Sequence, residues 1–321
     1  MSISNKCSSI LKKNKNLLAL SCGVDSTALF FILVELKIDF DIAIVDYNLR
    51  EESKEEVNYA KELAKKYSKE IFIKDAKLSD SNFEKEARDI RYSFFEQIIK
   101  EHNYKNLLTA HQLNDKLEWF LMQFTKGAGL VELMGFNEIE KRENYTLIRP
   151  LIEFSKEELK EYLESKNIKY FIDKSNFDTK YRRNYFRHNF SENLLSEFSN
   201  GIKKSFEYLE IDSKIFKPQI LKQIESFYLL KDLKDDNLNI RAIDKIVKKL
   251  GTLLSKAQKD EILRTKDCVI SGKITISFAN DKIYIAPYLK TALPKEFKEK
   301  CRIEKIPPKV RCYLFKIDSL F

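Results

Sequence analysis

The sequence predicts an α/β protein, a parallel sheet covered by helices, followed by a smaller α+β domain. Three observations carry this expectation. Through the first half of the chain, short apolar runs alternate with amphipathic helical stretches, the pattern of a parallel sheet covered on both faces. One of these runs, inside Leu17–Leu36, passes through a loop of small polar residues straight into a long apolar helix. Beyond about residue 200 the alternation gives way to helical segments and then to strands joined by a hairpin signal. A length of 321 residues agrees, since it favours about two domains.

In chain order, Leu17–Leu20 reads as a strand and Thr27–Leu36 as a buried helix. Phe40–Asp46 is the next strand, Ser53–Tyr67 a helix capped by Ser53, and Glu70–Asp75 a strand. A long helix from about Phe83 to Glu101, the strand Asn106–Ala110 and a helix from about Asn114 to Phe124 follow. Tyr145–Pro150 and a helix from about Lys156 to Lys166 complete the series. Ser199-Asn200-Gly201 marks a boundary between a domain over 1–200 and another over 201–321. The second reads as helical over 201–262, with a break near Pro218 and a helix pair separated around Gly251. It reads as β-containing over 268–321, where Asn280-Asp281 signals a hairpin. The tail carries Lys305, Lys309 and Arg311 around Pro307-Pro308, a pair that suits a rigid extended turn.

Composition narrows the function classes. A hydrophobic content of 43% supports sizeable cores, and 7 Gly with 6 Pro argue against low complexity. No run approaches the length of a membrane span, and the polar start lacks the apolar region of a secretory signal, so a soluble cytoplasmic protein is expected. Cys7, Cys22, Cys268, Cys301 and Cys312 are scattered, odd in number and never arranged as C-x-x-C. They support neither a disulfide framework nor a cysteine-rich metal site. The net charge is +9, of which residues 191–321 hold +8, and from Arg241 onward the balance is +10. A polyanion gripped by the C-terminal part fits this asymmetry, as does a lysine-rich surface that keeps the chain in solution.

The loop after the first strand has a specific chemistry. A strand, a tight loop and a helix in that order point the free N–H groups of the first helical turn at the loop, which makes an anion site. Ser21 and Ser26 add hydroxyls, and Gly23 lets the backbone approach a ligand closely. Asp25 would repel phosphate unless a cation lies between them, so it implies Mg²⁺. No G-x-x-x-x-G-K-[ST] occurs, and Gly127-Ala-Gly129 lacks the third glycine of a dinucleotide loop. An ordinary strand-to-helix turn with polar caps is the competing reading.

Ligands of parallel sheets collect at the carboxyl ends of the strands, which places Ser21–Ser26, Asp46–Asn48 and His111–Glu118 around one crevice. With a helix starting near His111, His111, Asp115 and Glu118 share a face and suit a cationic second substrate. The same residues also suit a metal, a structural cap at His111, or acidic complements to the helix dipole. From Lys174 to His188, Arg182, Arg183 and Arg187 interleave with Tyr181, Tyr185 and Phe186, a mixture that fits phosphate contact with base stacking. The polar face of an amphipathic helix would look similar.

The S-x-G-x-D-S pattern of Ser21–Ser26 resembles the pyrophosphatase loop of the N-type ATP pyrophosphatases, whose usual form is S-G-G-x-D-S. Cys22 stands at the first glycine, so that position is expected to need no positive φ. Five further segments, Val45–Arg50, Glu86–Phe95, Thr109–Phe136, Leu147–Leu159 and Phe171–His188, resemble the tRNA(Ile)-lysidine synthase family in order and spacing. The likeness runs from about residue 17 to 190. It implies a Rossmann-like pyrophosphatase domain over 1–200, and the basic excess beyond it suggests a tRNA-binding domain over 201–321. It further implies that ATP adenylates the C2 carbonyl of the wobble cytidine in the CAU anticodon of isoleucine tRNA, and that free L-lysine then displaces AMP.

By the same resemblance, Ser21, Cys22, Gly23, Val24, Asp25, Ser26, Asp46, Tyr47 and His111 belong to the ATP site, with Mg²⁺ on Asp25. Asp115 and Glu118 receive lysine, and Asp25, Asp115, Asn176 and Arg187 form the reaction centre. Arg88, Arg91, Arg182, Arg183 and Asn184 contact tRNA, and the basic excess of the C-terminal part adds Lys305, Lys309 and Arg311 to the expected tRNA contacts. Lys156 reads equally as a site residue and as a surface lysine at a helix start. The chain departs from the family at Tyr47, commonly His, and at Asn114, the first of two aspartates. No membrane and no protein partner are implied. A tRNA 2-thiocytidine synthase would need paired C-x-x-C cysteines, and a GMP or NAD synthetase would lack the basic module. A non-catalytic nucleotide- or RNA-binding module would bind without releasing pyrophosphate.

Overall fold

A computed structural model describes residues 1–47, 51–78, 83–172, 182–216 and 218–319. The chain forms two compact units, Met1–Glu210 and Ile211–Phe321.

The first unit runs α1 (Asn5–Lys12), β1 (Asn16–Ala19), α2 (Val24–Glu35), β2 (Asp41–Asp46), α3 (Glu51–Lys66), β3 (Ile71–Asp75), α4 (Phe83–His102) and β4 (Asn106–Leu108). It continues with α5 (Leu113–Phe124), α6 (Leu130–Leu133), β5 (Ile139–Lys141), β6 (Thr146–Ile148), α7 (Lys156–Ser165), α8 (Arg182–Phe186) and α9 (Glu192–Asp212). A single π-helical turn, Arg187–Ser191, joins α8 to α9. The sheet order is β3-β2-β1-β4-β6-β5, parallel throughout except for β5, which pairs antiparallel at the edge. Alternate residues of each strand enter opposite cores. Leu18, Ile42, Leu108 and Ile148 pack beneath α1, α2, α3 and α7, whereas Leu17, Ala43, Leu107 and Leu147 pack on α4. The short edge strand β5 had no distinct signal in the sequence. Ser53 lies inside α3, which begins at Glu51, and so it is not the cap expected of it.

The second unit contains β7 (Ile220–Ile224), β8 (Phe227–Lys231), α10 (Asp236–Lys249), α11 (Lys256–Thr265), β9 (Asp267–Ile270), β10 (Ile274–Ala279), β11 (Lys282–Pro287), α12 (Lys295–Ile303) and α13 (Pro308–Lys316). Its antiparallel sheet has the order β7-β8-β11-β10-β9. One face, with Leu230, Ile276 and Ile285, packs on α10 and α11, and the other, with Leu229, Tyr284 and Ala286, packs on α12 and α13. Asn280 and Asp281 both take positive φ, at 53° and 57°, as a two-residue hairpin turn requires.

Three expectations about this half are corrected. The boundary at 200/201 falls inside α9, because Leu195, Ile202, Phe206 and Leu209 pack in one cluster with Leu113 and Leu117, and this burial overrides the local turn signal. The 201–262 segment is not all helical: Ile220–Ile224 and Phe227–Lys231 are strands. Phe227–Leu230 are buried on both faces, and a short run apolar on both sides cannot be told from buried helix by periodicity. The Pro307-Pro308 tail is no extended turn; Pro308 occupies the first position of α13, where its missing N–H costs nothing. Among the described residues no helix is long and apolar enough to cross a membrane.

Candidate active site

β1 and β4 are neighbours whose crossovers leave in opposite directions, so the chain opens a crevice at their carboxyl ends. A cavity of about 660 Å³ occupies this place. It gathers Ser21, Gly23, Val24, Asp25 and Ser26 from the β1–α2 loop, Asp46 and Tyr47 from the end of β2, Arg88 and Arg91 from α4, His111 and Asp115 from the β4–α5 junction, and Arg183 and Arg187. Several expected site residues lie elsewhere. Cys22 belongs to the core, and Glu118 is fully buried and absent from the lining. Arg182 donates to Thr125 Oγ1 at 3.1 Å, and Asn184 is buried. Lys305, Lys309 and Arg311 lie in the second unit. Asn48 and Asn176 are outside the described residues.

The β1–α2 loop is left open to an anion. α5 closes its own N-terminus with a Gln112/Asp115 capping box and α7 with a Ser155/Glu158 box, whereas α2 begins at Gly23 without a side-chain cap. The first amides of α2 therefore keep their donors free for a ligand. Ser26 Oγ stands 3.1 Å from both the amide and the hydroxyl of Ser21, which shapes the loop around this opening. Gly23 has an ordinary φ of −74°, and a Cβ built there meets nothing nearer than Ser21 Oγ at 3.7 Å. The protein itself makes no demand for glycine at this position. A ligand lying close against the loop would make that demand.

Cys22 overturns the expectation attached to it, because its φ is +57°, the left-handed region that glycine usually fills. Burial compensates. The side chain is fully buried, its thiol donates to Glu56 O at 3.3 Å, and its carbonyl accepts the Phe171 amide at 2.9 Å. Burial, followed by the charge of Glu56, pushes the thiol up to about 12, so it acts as a packed neutral group and not as a nucleophile.

Asp25 carries the other half of the loop's chemistry. Its Oδ1 is buried with no hydrogen-bond partner among the described residues. Burial, then the charge of Asp115, pushes its pKa up to about 7, against the opposing pull of Lys156 and Arg187. A buried carboxylate oxygen without a donor is a standing cost, and a divalent cation would relieve it. The donor is oxygen and the neighbour is an anion site, so the residues fit Mg²⁺.

Asp115 and Glu118 are already engaged. Asp115 Oδ2 accepts the Gln112 amide at 3.0 Å, and Oδ1 accepts Arg183 Nη2 in a short bond. Glu118 accepts Arg183 Nε at 2.8 Å and Arg187 Nε at 2.7 Å. Two carboxylates and two guanidiniums thus form a neutral quartet at the cavity wall. Burial works to raise Asp115, but Arg183, then His111, the Gln112 amide and Arg187, outweigh it and hold the carboxyl below the usual range.

His111 lies two residues before α5 and not within it, and its Nδ1 is 3.0 Å from Thr109 Oγ1. Burial, reinforced by Arg149 and other nearby cations over the opposing pull of Asp115, lowers its pKa to about 4, so the ring is neutral near pH 7. The ring packs on Phe136 at 5.2 Å. Gly135 precedes Phe136 at φ +62°, and Trp119 stacks so closely that a Cβ at 135 would lie 2.4 Å from its ring. Asn114, the family departure, accepts the Lys156 amide at 3.0 Å, so its amide fastens the start of α7 to α5.

Lys156, Lys160 and the segment Tyr170–Ile172 also line the cavity. Of these, Lys156 had a signal in the sequence in its place soon after Pro150, and Phe171 and Ile172 open the segment Phe171–His188. In the second unit, Lys309 pairs with Asp267 at 3.0 Å, and Arg311 donates twice to Ile306 O at 2.9 and 2.7 Å.

Comparison with known proteins shows the family and the fold. A family model described as the PP-loop domain matches residues 2–194. The chain is 49% identical to a tRNA(Ile)-lysidine synthase of Campylobacter jejuni (strain RM1221), over 99% of this chain and 98% of that relative. It is 44% identical to one of Wolinella succinogenes, over 97% and 96% of the two chains. A Helicobacter pylori (strain ATCC 700392 / 26695) tRNA(Ile)-lysidine synthase is 42% identical, over 95% and 90%. Among solved structures, a U34-tRNA thiolase, NcsA, from Methanococcus maripaludis shares the fold with a TM-score of 0.52 at 19% identity, covering 63% of this chain and 75% of that one.

Proposed function

The chain belongs to the tRNA(Ile)-lysidine synthases, ATP-dependent ligases of the PP-loop family, and on that basis we propose that it joins free lysine to the wobble cytidine of a CAU-anticodon isoleucine tRNA. ATP lies with its pyrophosphate over the uncapped amides of α2 and the hydroxyls of Ser21 and Ser26, and with its adenosine toward Asp46 and Tyr47. The cytidine C2 carbonyl oxygen attacks the α-phosphorus, and the bond to the bridging oxygen breaks with its electron pair leaving on pyrophosphate. An inert carbonyl oxygen thereby becomes an AMP leaving group. The lysine side-chain nitrogen then bonds to C2 as the C2–O bond breaks and AMP departs. With an ordinary pKa of about 10.4, lysine arrives as an ammonium and must give up one proton to water before its nitrogen attacks.

Asp115 at the cavity wall meets that ammonium, and Glu118 acts from below through the arginines that it holds. With its pKa held down, Asp115 is suited to bind a cation and poorly suited to take a proton. Asp25 and the phosphate oxygens would hold Mg²⁺, which supplies charge neutralisation for the phosphates and the departing pyrophosphate. The second unit, with its basic excess, takes the body of the tRNA. There Lys305 is the best placed of the three tail cations, since its ammonium has no partner among the described residues, whereas Lys309 and Arg311 are tied internally.

The observation that carries this reading is a shared cavity: the open first turn of α2 and Asp25, with its buried orphan oxygen, border the same space as Asp115. Without lysine, the protein should release pyrophosphate from ATP and Mg²⁺ in proportion to added CAU-anticodon isoleucine tRNA, and the tRNA should carry AMP. Equal pyrophosphate release with and without that tRNA would defeat the reading.

A further inference from the structure

The charge inventory of the cavity singles out one residue that the scheme above leaves without a task. Among the described residues six cations line it: Arg88, Arg91, Lys156, Lys160, Arg183 and Arg187. Arg183 and Arg187 are neutralised by Asp115 and Glu118. Lys160 lies 3.9 Å from both Glu157 and Glu164. Arg88 stacks over Tyr92 at 4.7 Å on α4 and, like Arg91, is exposed. Arg91 belongs to the same helix. Lys156 differs in place and in environment. It is half-buried at the first position of α7, the helix that packs along α2, and its ammonium makes no ion pair among the described residues.

The position of Lys156 is fixed from the backbone. Its amide donates to Asn114 Oδ1 at 3.0 Å, and the residues beside it form the Ser155/Glu158 capping box. α2 and α7 both begin at the cavity, so Lys156 and Asp25 stand at neighbouring helix starts. Their charges act on one another, and Lys156 is the foremost of the cations that stabilise the Asp25 carboxylate. A half-buried ammonium with no ion pair among the described residues, next to an anion-binding turn, is a preorganised site for negative charge that arrives with a ligand.

We propose that Lys156 is a catalytic residue of the adenylation step, its ammonium contacting a non-bridging oxygen of the ATP α-phosphate. The inference rests on the ATP-dependent reading above. As the cytidine oxygen bonds to the α-phosphorus and the bond to the β-phosphate oxygen breaks, negative charge shifts onto the non-bridging oxygens and the pyrophosphate. Lys156 meets the first of these while the α2 amides meet the second. No proton is transferred, so a permanent cation suffices. Arg183 and Arg187 serve a different end, since their charge is already balanced.

The test is Lys156→Met, which keeps the length of the side chain and removes its charge, with Lys156→Arg as the charge-retaining variant. Neither alters the backbone amide that Asn114 holds, and thermal melting of each variant checks that the fold is kept. In single-turnover assays with ATP, Mg²⁺ and CAU-anticodon isoleucine tRNA, Lys156→Met should slow pyrophosphate release by about 10²–10³-fold, the usual loss for one transition-state donor. Equilibrium ATP affinity should change less than about 3-fold, and Lys156→Arg should recover at least a tenth of the wild-type rate. A Lys156→Met rate within about 3-fold of wild type would overturn the proposal, as would a loss confined to ATP affinity. If the wild-type protein itself releases no tRNA-dependent pyrophosphate, the failure lies with the proposed function and not with Lys156.

Discussion

Replacing Glu118 with alanine should destabilise the first unit by about 3 kcal/mol, the low end of the range for breaking a buried ion pair. The carboxylate is fully buried and accepts from Arg183 Nε at 2.8 Å and Arg187 Nε at 2.7 Å. Its removal leaves two guanidiniums facing a space lined for an anion. Their exposures decide the size of the effect. The Arg183 side chain is 43% exposed and can turn to water, so it adds little. The Arg187 side chain is only 12% exposed, so its guanidinium cannot turn freely to water once its 2.7 Å partner is gone. For a unit of this size the loss corresponds to a midpoint drop of roughly 6–12 °C. Trp119 is the only tryptophan of the chain and sits on α5 beside Glu118, so its fluorescence in urea reports this unit's unfolding. Glu118→Gln, which keeps an acceptor oxygen, should lose less. A loss below about 1 kcal/mol for the alanine variant would refute the quartet as a structural element, since that is the scale of an exposed pair.

Gly23→Ala should leave stability within about 0.5 kcal/mol of wild type, since no protein atom crowds the new methyl, yet weaken ATP binding at least 10-fold; unchanged ATP affinity by calorimetry would remove the ligand-approach argument. At Cys22, glycine should be more stable than alanine. Alanine keeps the left-handed strain of about 1 kcal/mol and empties the buried thiol site, whereas glycine loses the same packing but relieves the strain; urea midpoints in the reverse order would contradict the φ of +57°. His111 titrates near 4 in the folded chain against about 6.5 when unfolded, so between these values the unfolded state binds more protons and stability falls as pH falls. His111→Asn should therefore flatten the stability profile between about pH 6.5 and 4, and an unchanged profile would place His111 in a more polar setting.

The first unit was readable because its signals are strong and local. Apolar runs bounded by turn residues mark the core strands, and their carboxyl ends mark the crevice. What burial hides, the sequence cannot show. Cys22 read as evidence against a positive φ, because propensity speaks for the isolated backbone and not for a side chain anchored in the core. Asp115 and Glu118 read as open carboxylates, since the arginines that occupy them come from 65 to 72 residues further along the chain, beyond the reach of any pattern. The Ser199-Asn200-Gly201 signal lost to the packing of α9 on α5. Phe227–Leu230, apolar on both faces, gave no period by which strand could be told from helix. The role of Asn114 became visible only with Lys156 beside it.

The proposed reaction joins lysine to tRNA in this cavity at the expense of ATP. Labelled lysine incubated with the protein, ATP, Mg²⁺ and CAU-anticodon isoleucine tRNA measures it directly. Label should enter the tRNA at the wobble nucleoside only when ATP is present, with one AMP and one pyrophosphate formed for each lysine joined. Binding of both ATP and this tRNA without any incorporation of lysine would contradict the account.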